Sequence, residues 1–264
     1  MTKQKTRTNS KLNKQKEIEQ KKRKHRKIIF ILVVLVVIIV GICSYLLTAN
    51  VFNIQYINIK GNKQLSQEDI YELSGIKIGD NIFSTLEIVT RVKLKQNGYI
   101  EDVKINKIYP DKIELEVKER QKEFQIQTET GCYIYIDDQG HILDYSLEKL
   151  ELPTIIGMEM TEDKIKEIKR LEENDLEKME NILQIRFEAK NIELADKITQ
   201  FQVQDEYILS LDNEGIIINL GNATNLKNRM YYVKAILAKE SGNTGTIYVN
   251  GNLDEGFIPY FSAN

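Results

Sequence analysis

One stretch constrains this chain more than any other. Ile28 to Leu47, IIFILVVLVVIIVGICSYLL, carries no charged residue and no proline. About 20 residues rising ~1.5 Å each cover the ~30 Å hydrocarbon core of a bilayer. Lipid offers backbone N–H and C=O groups no partner, so such a stretch must be helical to span it. A buried core helix is rarely apolar on every side and this rich in Val and Ile. A cleaved leader has an apolar core of about 7–15 residues, with small residues at the cut. This run is longer, and Cys43-Ser44-Tyr45-Leu46-Leu47-Thr48-Ala49-Asn50 makes a poor cleavage site. The expectation is one uncut transmembrane helix at 28–47.

The run divides the charge. Residues 1–27 hold twelve Lys and Arg against Glu17 and Glu19, a charge of +10, which leaves −12 for the rest of a chain whose total is −2. Basic flanks stay in the cytoplasm, so residues 1–27 are expected inside and 48–264 outside. The basic run reads as a topology signal, compatible with a second role at anionic headgroups. It has no interleaved aromatic and no nucleic-acid-binding motif, so nucleic acid is excluded as a partner. Its Lys/Gln/Asn-rich composition predicts a disordered tail.

The 264-residue chain leaves about 215 residues beyond the run, enough for one large or two small domains. Cys43 lies in the run and Cys132 beyond it, so they cannot pair within one chain and the exterior needs a conventional core. Cys132 reads as a small buried residue.

The first exterior block spans 51–120. Phe52 to Gly61 reads as a strand stopping at Gly61-Asn62. Ser66-Gln67-Glu68-Asp69 has the form of a helix cap, and Ser84-Thr85-Leu86-Glu87 that of a capping box opening a helix through Ile88, Val89, Val92 and Leu94. Asn97-Gly98 closes that helix through a left-handed glycine. Tyr99 to Ile108 reads as a strand, Tyr109-Pro110-Asp111 as a turn, and Ile113, Leu115 and Val117 alternate with Glu114, Glu116 and Lys118 as a strand with one wet face.

The second block spans 121–264. Strands are expected at Phe124–Thr128, Cys132–Asp137, His141–Leu143, Ile185–Ala189, Ile198–Val203, Tyr207–Leu211 and Ile216–Leu220, the last pair joined by a turn at Asp212-Asn213-Glu214-Gly215. Thr161 is placed to cap a helix through Ile165, Ile168 and Leu171, with Leu176, Met179, Ile182 and Leu183 continuing that face. Leu226, Met230, Val233 and Leu237 recur at helical spacing. Thr246–Asn250 and Phe257–Phe261 read as two short closing strands.

Together, in order, directly after a single anchor with a basic tail, three segments resemble the FtsQ/DivIB family of bitopic bacterial cell-division proteins. They are Ile57-Asn58-Ile59-Lys60-Gly61-Asn62, Gly75-Ile76-Lys77-Ile78-Gly79-Asp80-Asn81-Ile82-Phe83, and Tyr109-Pro110-Asp111-Lys112-Ile113-Glu114-Leu115-Glu116-Val117-Lys118-Glu119-Arg120. Leu152-Pro153-Thr154-Ile155-Ile156-Gly157 matches the family's apolar segment ending in Gly. Gly221 followed by Arg229 resembles its glycine-then-helix segment, with Arg229 where the family usually has lysine. The resemblance implies an α+β chain with a single N-terminal transmembrane helix, a POTRA domain (β-α-α-β-β), and a larger mixed antiparallel β-sheet domain with packed helices. It marks Gly61, Asn62, Gly79, Pro110, Glu119, Arg120, Pro153, Gly157, Gly221 and Arg229 as structural-motif positions. It implies a non-catalytic division scaffold at the septum, with DivIC/FtsB-like and FtsL-like partners. The alternative is a membrane-anchored extracytoplasmic enzyme or cell-wall sensor with a POTRA-like module.

No catalytic constellation is visible in the sequence. His25 lies in the basic tail and His141 beside a turn. A Ser-His-Asp device would need an acid holding His141 and a serine facing it. No HExxH, CxxC or Gly-rich phosphate loop is present, so no metal, cofactor or small-molecule substrate is expected. The expected binding surface is the end of the sheet: Thr246, Ile247, Tyr248, Val249 and Asn250 with Phe257, Ile258, Tyr260 and Phe261. A terminal strand leaves one backbone row for another chain to complete, and Tyr and Phe are common interface anchors. Alternation sets Ile247 and Val249 toward the core and Tyr248 away from it.

Overall fold

The computed structural model describes residues 2–211 and 215–264. Helix α1 runs unbroken from Thr2 to Thr48. Its apolar part is long and apolar enough to cross a membrane, and the side chains there stand exposed. The expected disordered tail is corrected: the helix continues back through the basic segment. Lys, Gln, Arg and Glu all propagate helix well, and no Gly or Pro precedes Gly41.

The chain then enters a three-stranded sheet ordered β1-β3-β2, with β1 at Tyr56–Lys60, β2 at Ile100–Ile108 and β3 at Lys112–Glu119. β1 lies parallel to β3, and β2 antiparallel to it. In β3 the alternation holds, with Ile113, Leu115 and Val117 buried. Two helices connect β1 to β2, α2 at Gln67–Ser74 and α3 at Glu87–Leu94. The Ser66 cap forms as expected: Ser66 Oγ accepts from Asp69 N at 3.0 Å, and Asp69 Oδ2 accepts from Ser66 N at 3.2 Å.

The capping box at Ser84 does not form. α3 starts at Glu87 behind an uncapped Leu86, because Ser84 Oγ donates instead to Asn81 O at 2.6 Å in the preceding turn. α3 buries Thr90 and Leu94, leaving Ile88, Val89 and Val92 in the open. Gly98 is likewise not a left-handed cap, since its φ is not among the positive ones. It permits close approach, for a Cβ there would lie 2.5 Å from Ile142 O.

The remaining chain builds a nine-stranded sheet, ordered β12-β11-β10-β9-β8-β7-β4-β5-β6. The strands are β4 (Phe124–Gln127), β5 (Tyr133–Ile136), β6 (Ile142–Ser146), β7 (Thr154–Ile156), β8 (Ile198–Gln202), β9 (Tyr207–Leu211), β10 (Ile216–Gly221), β11 (Gly245–Tyr248) and β12 (Tyr260–Ala263). Pairing is antiparallel except at β4–β7, β7–β8 and β10–β11. Helices α4 (Glu173–Asn191) and α5 (Leu226–Lys239) share one apolar core with the sheet. The core of the first sheet is a separate cluster.

Two expectations fail here. Ile185–Ala189 is the last part of α4, not a strand: Met179, Ile182, Ile185 and Ala189 are buried at helical spacing. The helix expected from Thr161 is one 3-10 turn at Glu162–Lys166 without a side-chain cap. The Glu162 carboxylate is held by the Thr128 and Thr130 hydroxyls, which ties that turn to the strand β4 end. The turn expected at Asp212-Asn213-Glu214 lies outside the described residues.

Candidate partner-binding site at the sheet end

The end of the nine-stranded sheet is built by α5, β11 and β12. Ile247 and Val249 are 0% exposed, and Tyr248 lies on the opposite face with its ring stacked on Tyr260, centroids 4.9 Å apart. Phe257 reaches the same aromatic group, 6.4 Å from Tyr260. Its ring lies on Gly251, where a Cβ would come within 2.1 Å of the ring. Thr246 is half-buried, and Asn250 Nδ2 donates to Glu206 Oε1 at 3.4 Å. Phe261 packs against the core edge, while Ile258 stands 80% exposed.

The structure corrects two points in this site. The last strand begins at Tyr260, so Phe257 and Ile258 belong to the turn that precedes it. β11 is also not the edge, since it pairs with β10 on one side and β12 on the other. A proline at Tyr248 would therefore break the sheet rather than an outward row. The open row belongs to β12. Asn264 N donates to Thr244 O at 3.3 Å. Backbone groups alternate in direction along an antiparallel strand, so Tyr260 and Ser262 face β11 while Phe261 and Ala263 point outward.

Gly221 and Arg229 hold this end together. Gly221 has φ +68°, and a Cβ there would lie 2.8 Å from Asn250 Cβ. Arg229 is buried. Nη1 donates to Leu220 O, and Nη2 to Asn222 Oδ1 at 3.1 Å and Gly251 O at 3.4 Å. Nε has no partner among the described residues. Burial draws the guanidinium pKa below its ordinary value. One cation thus ties the ends of β10 and β11 to α5, which is a positioning task.

The other motif residues gather elsewhere. The Glu119 carboxylate accepts from the N–H groups of Lys63, Gln64 and Leu65 at 3.0, 2.7 and 3.2 Å. Asn62 Nδ2 donates to Leu65 O at 2.9 Å, and a Cβ on Gly61 (φ +85°) would lie 2.2 Å from Val117 O. These fix the turn after β1. Gly79 has φ +95° with open space around it. The Tyr109–Pro110 peptide is cis. Pro153 O accepts from Gln125 N at 3.1 Å, and Gly157 (φ +96°) lies against Gln204.

Arg120 sits at the joint between the two sheets, with Nη1 2.7 Å from Asp137 Oδ2. That carboxylate also accepts from the N–H groups of Gln139 and His141 and lies 3.2 Å from His141 Nδ1. His141 is therefore held by an acid, but the acid's remaining contacts are with Arg120 and the turn, an arrangement that positions the joint. Sequence reasoning missed Lys122 here: its Nζ lies 3.2 Å from Asp144 and 4.1 Å from the Tyr135 ring centroid. Nothing in the sequence distinguishes it from a solvated lysine. Cys132 is buried, as expected. Burial, reinforced by Glu162, pushes its thiol pKa up, away from nucleophilic character. Among the described residues no three His, Cys, Asp or Glu side chains are grouped to hold a metal ion.

Comparison with known proteins accords with this architecture. The family model described as "POTRA domain, FtsQ-type" matches residues 52–120. "Cell division protein DivIB" of Clostridium botulinum (strain Hall) is 27% identical over 191 residues, 72% of this chain and 73% of that one. The protein of the same name from Clostridium acetobutylicum is 31% identical over 61% of this chain and 62% of its own. That from Staphylococcus pseudintermedius is 28% identical over 83% of this chain and 72% of its own. An N-terminal apolar helix, an FtsQ-type POTRA match at 52–120 and a large following sheet thus stand in a chain that is similar over most of its length to DivIB cell-division proteins.

Proposed function

We propose that this protein is a non-catalytic division scaffold, held in the cytoplasmic membrane by α1 at the septum. Its basic N-terminal segment lies inside and residues 48–264 lie outside, folded as a POTRA domain at 51–120 and a β domain at 121–264. The charge division of +10 against −12 supports that orientation. Its exterior binds other bitopic division proteins, DivIC/FtsB-like and FtsL-like, whose coiled-coil exteriors bring an extended segment to β12. The observation that carries this reading is the open backbone row of Phe261 and Ala263 beside the Tyr248–Tyr260 stack. Main-chain pairing supplies affinity in strand addition, and aromatic anchors beside the edge supply specificity.

Proline substitution tests the row directly. Ala263→Pro removes an outward N–H and leaves the β11 pairing in place. It should weaken binding of a purified DivIC/FtsB-like exterior by about tenfold, roughly 1.4 kcal/mol, with an unchanged thermal midpoint. Equal binding by the variant and the parent would remove β12 as the docking strand.

A further inference from the structure

The first sheet and its helices have a polarised surface. Between residues 51 and 120, large exposed apolar side chains include Val51, Ile78, Leu86, Ile88, Ile108 and Tyr109. Hydrogen bonds place these at one end of the unit, where the anchor arrives. Asn81 Nδ2 donates to Leu46 O in the last turns of α1 at 2.9 Å. The segment around Asn81 runs beside the chain leaving the anchor, with Gly79 N on Ile54 O and Ile82 N on Phe52 O, both at 2.8 Å. Lys107 Nζ donates to Thr85 O at 2.6 Å, which brings the end of β2 to the start of α3. The Phe83 ring lies 5.0 Å from Phe52 and stacks on Tyr109 at 5.3 Å. The opposite end, where β3 leads into the second sheet, exposes no large apolar side chain among residues 59–65, 94–103 and 115–120.

α3 sharpens the anomaly. A short surface helix ordinarily turns its apolar stripe to the core. This one docks by Thr90 and Leu94 and turns Ile88, 77% exposed, away from it together with Val89 and Val92. Water gains nothing from such an arrangement, whereas a lipid interface does.

We propose that the anchor-proximal end of this unit is a membrane foot, seated in the outer interface of the bilayer that α1 crosses. Ile78, Leu86 and Ile88 enter the headgroup–acyl boundary, and Phe83 and Tyr109 lie at headgroup level, where aromatic rings are favoured. Charges beside the patch are mixed, with Lys77, Lys107 and Lys112 among Asp80, Glu87 and Asp111. The attraction is therefore apolar, and zwitterionic lipid suffices. The foot fixes the height and tilt of the unit, and through the Arg120 joint it orients the second sheet. The proposal rests on α1 being a membrane anchor.

The chain contains no tryptophan, so single Trp substitutions report without background. The full chain is reconstituted in phosphatidylcholine vesicles with and without brominated acyl chains. Ile88→Trp should emit at shorter wavelength than an indole in water and lose roughly half its intensity in brominated lipid. Leu86→Trp, on the turn before α3, carries the same expectation should a ring at position 88 disturb the helix. Leu35→Trp, inside α1, should be quenched at least as strongly, and Phe187→Trp, exposed on α4, should not be quenched. Unquenched Ile88→Trp and Leu86→Trp beside a quenched Leu35→Trp would overturn the foot and leave the anchor standing. Blue-shifted but unquenched emission at position 88 would mean that protein covers the patch, which also overturns it. An unquenched Leu35→Trp would remove the anchor and the foot with it.

Discussion

The nine-stranded sheet ends differently on its two sides. At β6 the edge is occupied: Ile142 N donates to Lys169 O at 2.9 Å, His141 bridges Arg170, and Gly98 lies under Ile142 O. Tyr99 donates to Asp144, Lys122 pairs with the same carboxylate, and Lys169 Nζ donates to Gln96 O. At β12 the described residues cover nothing: Phe261 and Ala263 direct their backbone groups outward. Exposed edges invite pairing with other chains, so one closed end and one open end make a sheet with a single direction for growth. The polar joint uses the first edge to hold two units together, whereas the second keeps the outward row on which the proposed docking depends.

The largest effect that could break this contrast is expected at the closed end. Arg120 and Asp137 are 13% and 5% exposed, and removing one partner of a buried pair strands the other charge. Arg120→Ala should cost about 3 kcal/mol in chemical denaturation and should separate the unfolding of the two units. Partner binding by the molecules that remain folded should not change. A loss below about 0.5 kcal/mol would mean that the joint is held by the surrounding contacts instead.

A smaller effect is expected at the open end, with the opposite signature. Tyr248→Ala should weaken partner binding by about 1–3 kcal/mol, as truncation of an aromatic anchor does, and should cost the fold about 1 kcal/mol through the lost stack on Tyr260. Binding calorimetry and thermal unfolding on the same preparation separate the two. If the stability loss exceeds the binding loss, Tyr248 belongs to the fold and not to the docking surface.

The smallest effect concerns pH. Burial lowers the His141 pKa, with Arg120 and Arg170 acting in the same direction and Asp137 opposing them. A base whose folded pKa is depressed binds fewer protons folded than unfolded. Its contribution is complete above the unfolded value, about 6.5, and is lost as pH falls through the folded one. Thermal midpoints should therefore fall more steeply below about pH 6.5 in the parent than in His141→Gln. Parallel profiles would remove His141 from the joint.

The residues announced local structure in part, missing at Ser84, Gly98 and Thr161, and long-range order poorly. Alternation in Ile113-Leu115-Val117 and the cap at Ser66 are set by neighbours, and both were legible. Ile185–Ala189 misled because its Ile and Phe suit a strand, whereas its burial follows Met179 and Ile182 one helical turn at a time. Ile88, Val89 and Val92 were legible as helical but not as outward-facing, because the direction of an apolar face depends on what lies beyond the chain. The sheet order carries the same lesson. β4 pairs with β7 and β7 with β8, parallel and distant in sequence, and nothing in Thr246–Asn250 shows that another strand will cover it. Arg229 was marked by resemblance, and only the fold shows its work on Leu220, Asn222 and Gly251.

Amide hydrogen exchange bears most directly on the central claim that β12 is the docking edge. The full chain is measured in lipid nanodiscs, alone and with a DivIC/FtsB-like coiled-coil partner. The account predicts that the outward amides of Phe261 and Ala263, fast in the free chain, become protected on binding, while protection around Ile142 stays as it was. Fast exchange persisting at Phe261 and Ala263, with new protection along Tyr56–Lys60 or Ile100–Ile108 of the first sheet, would contradict it.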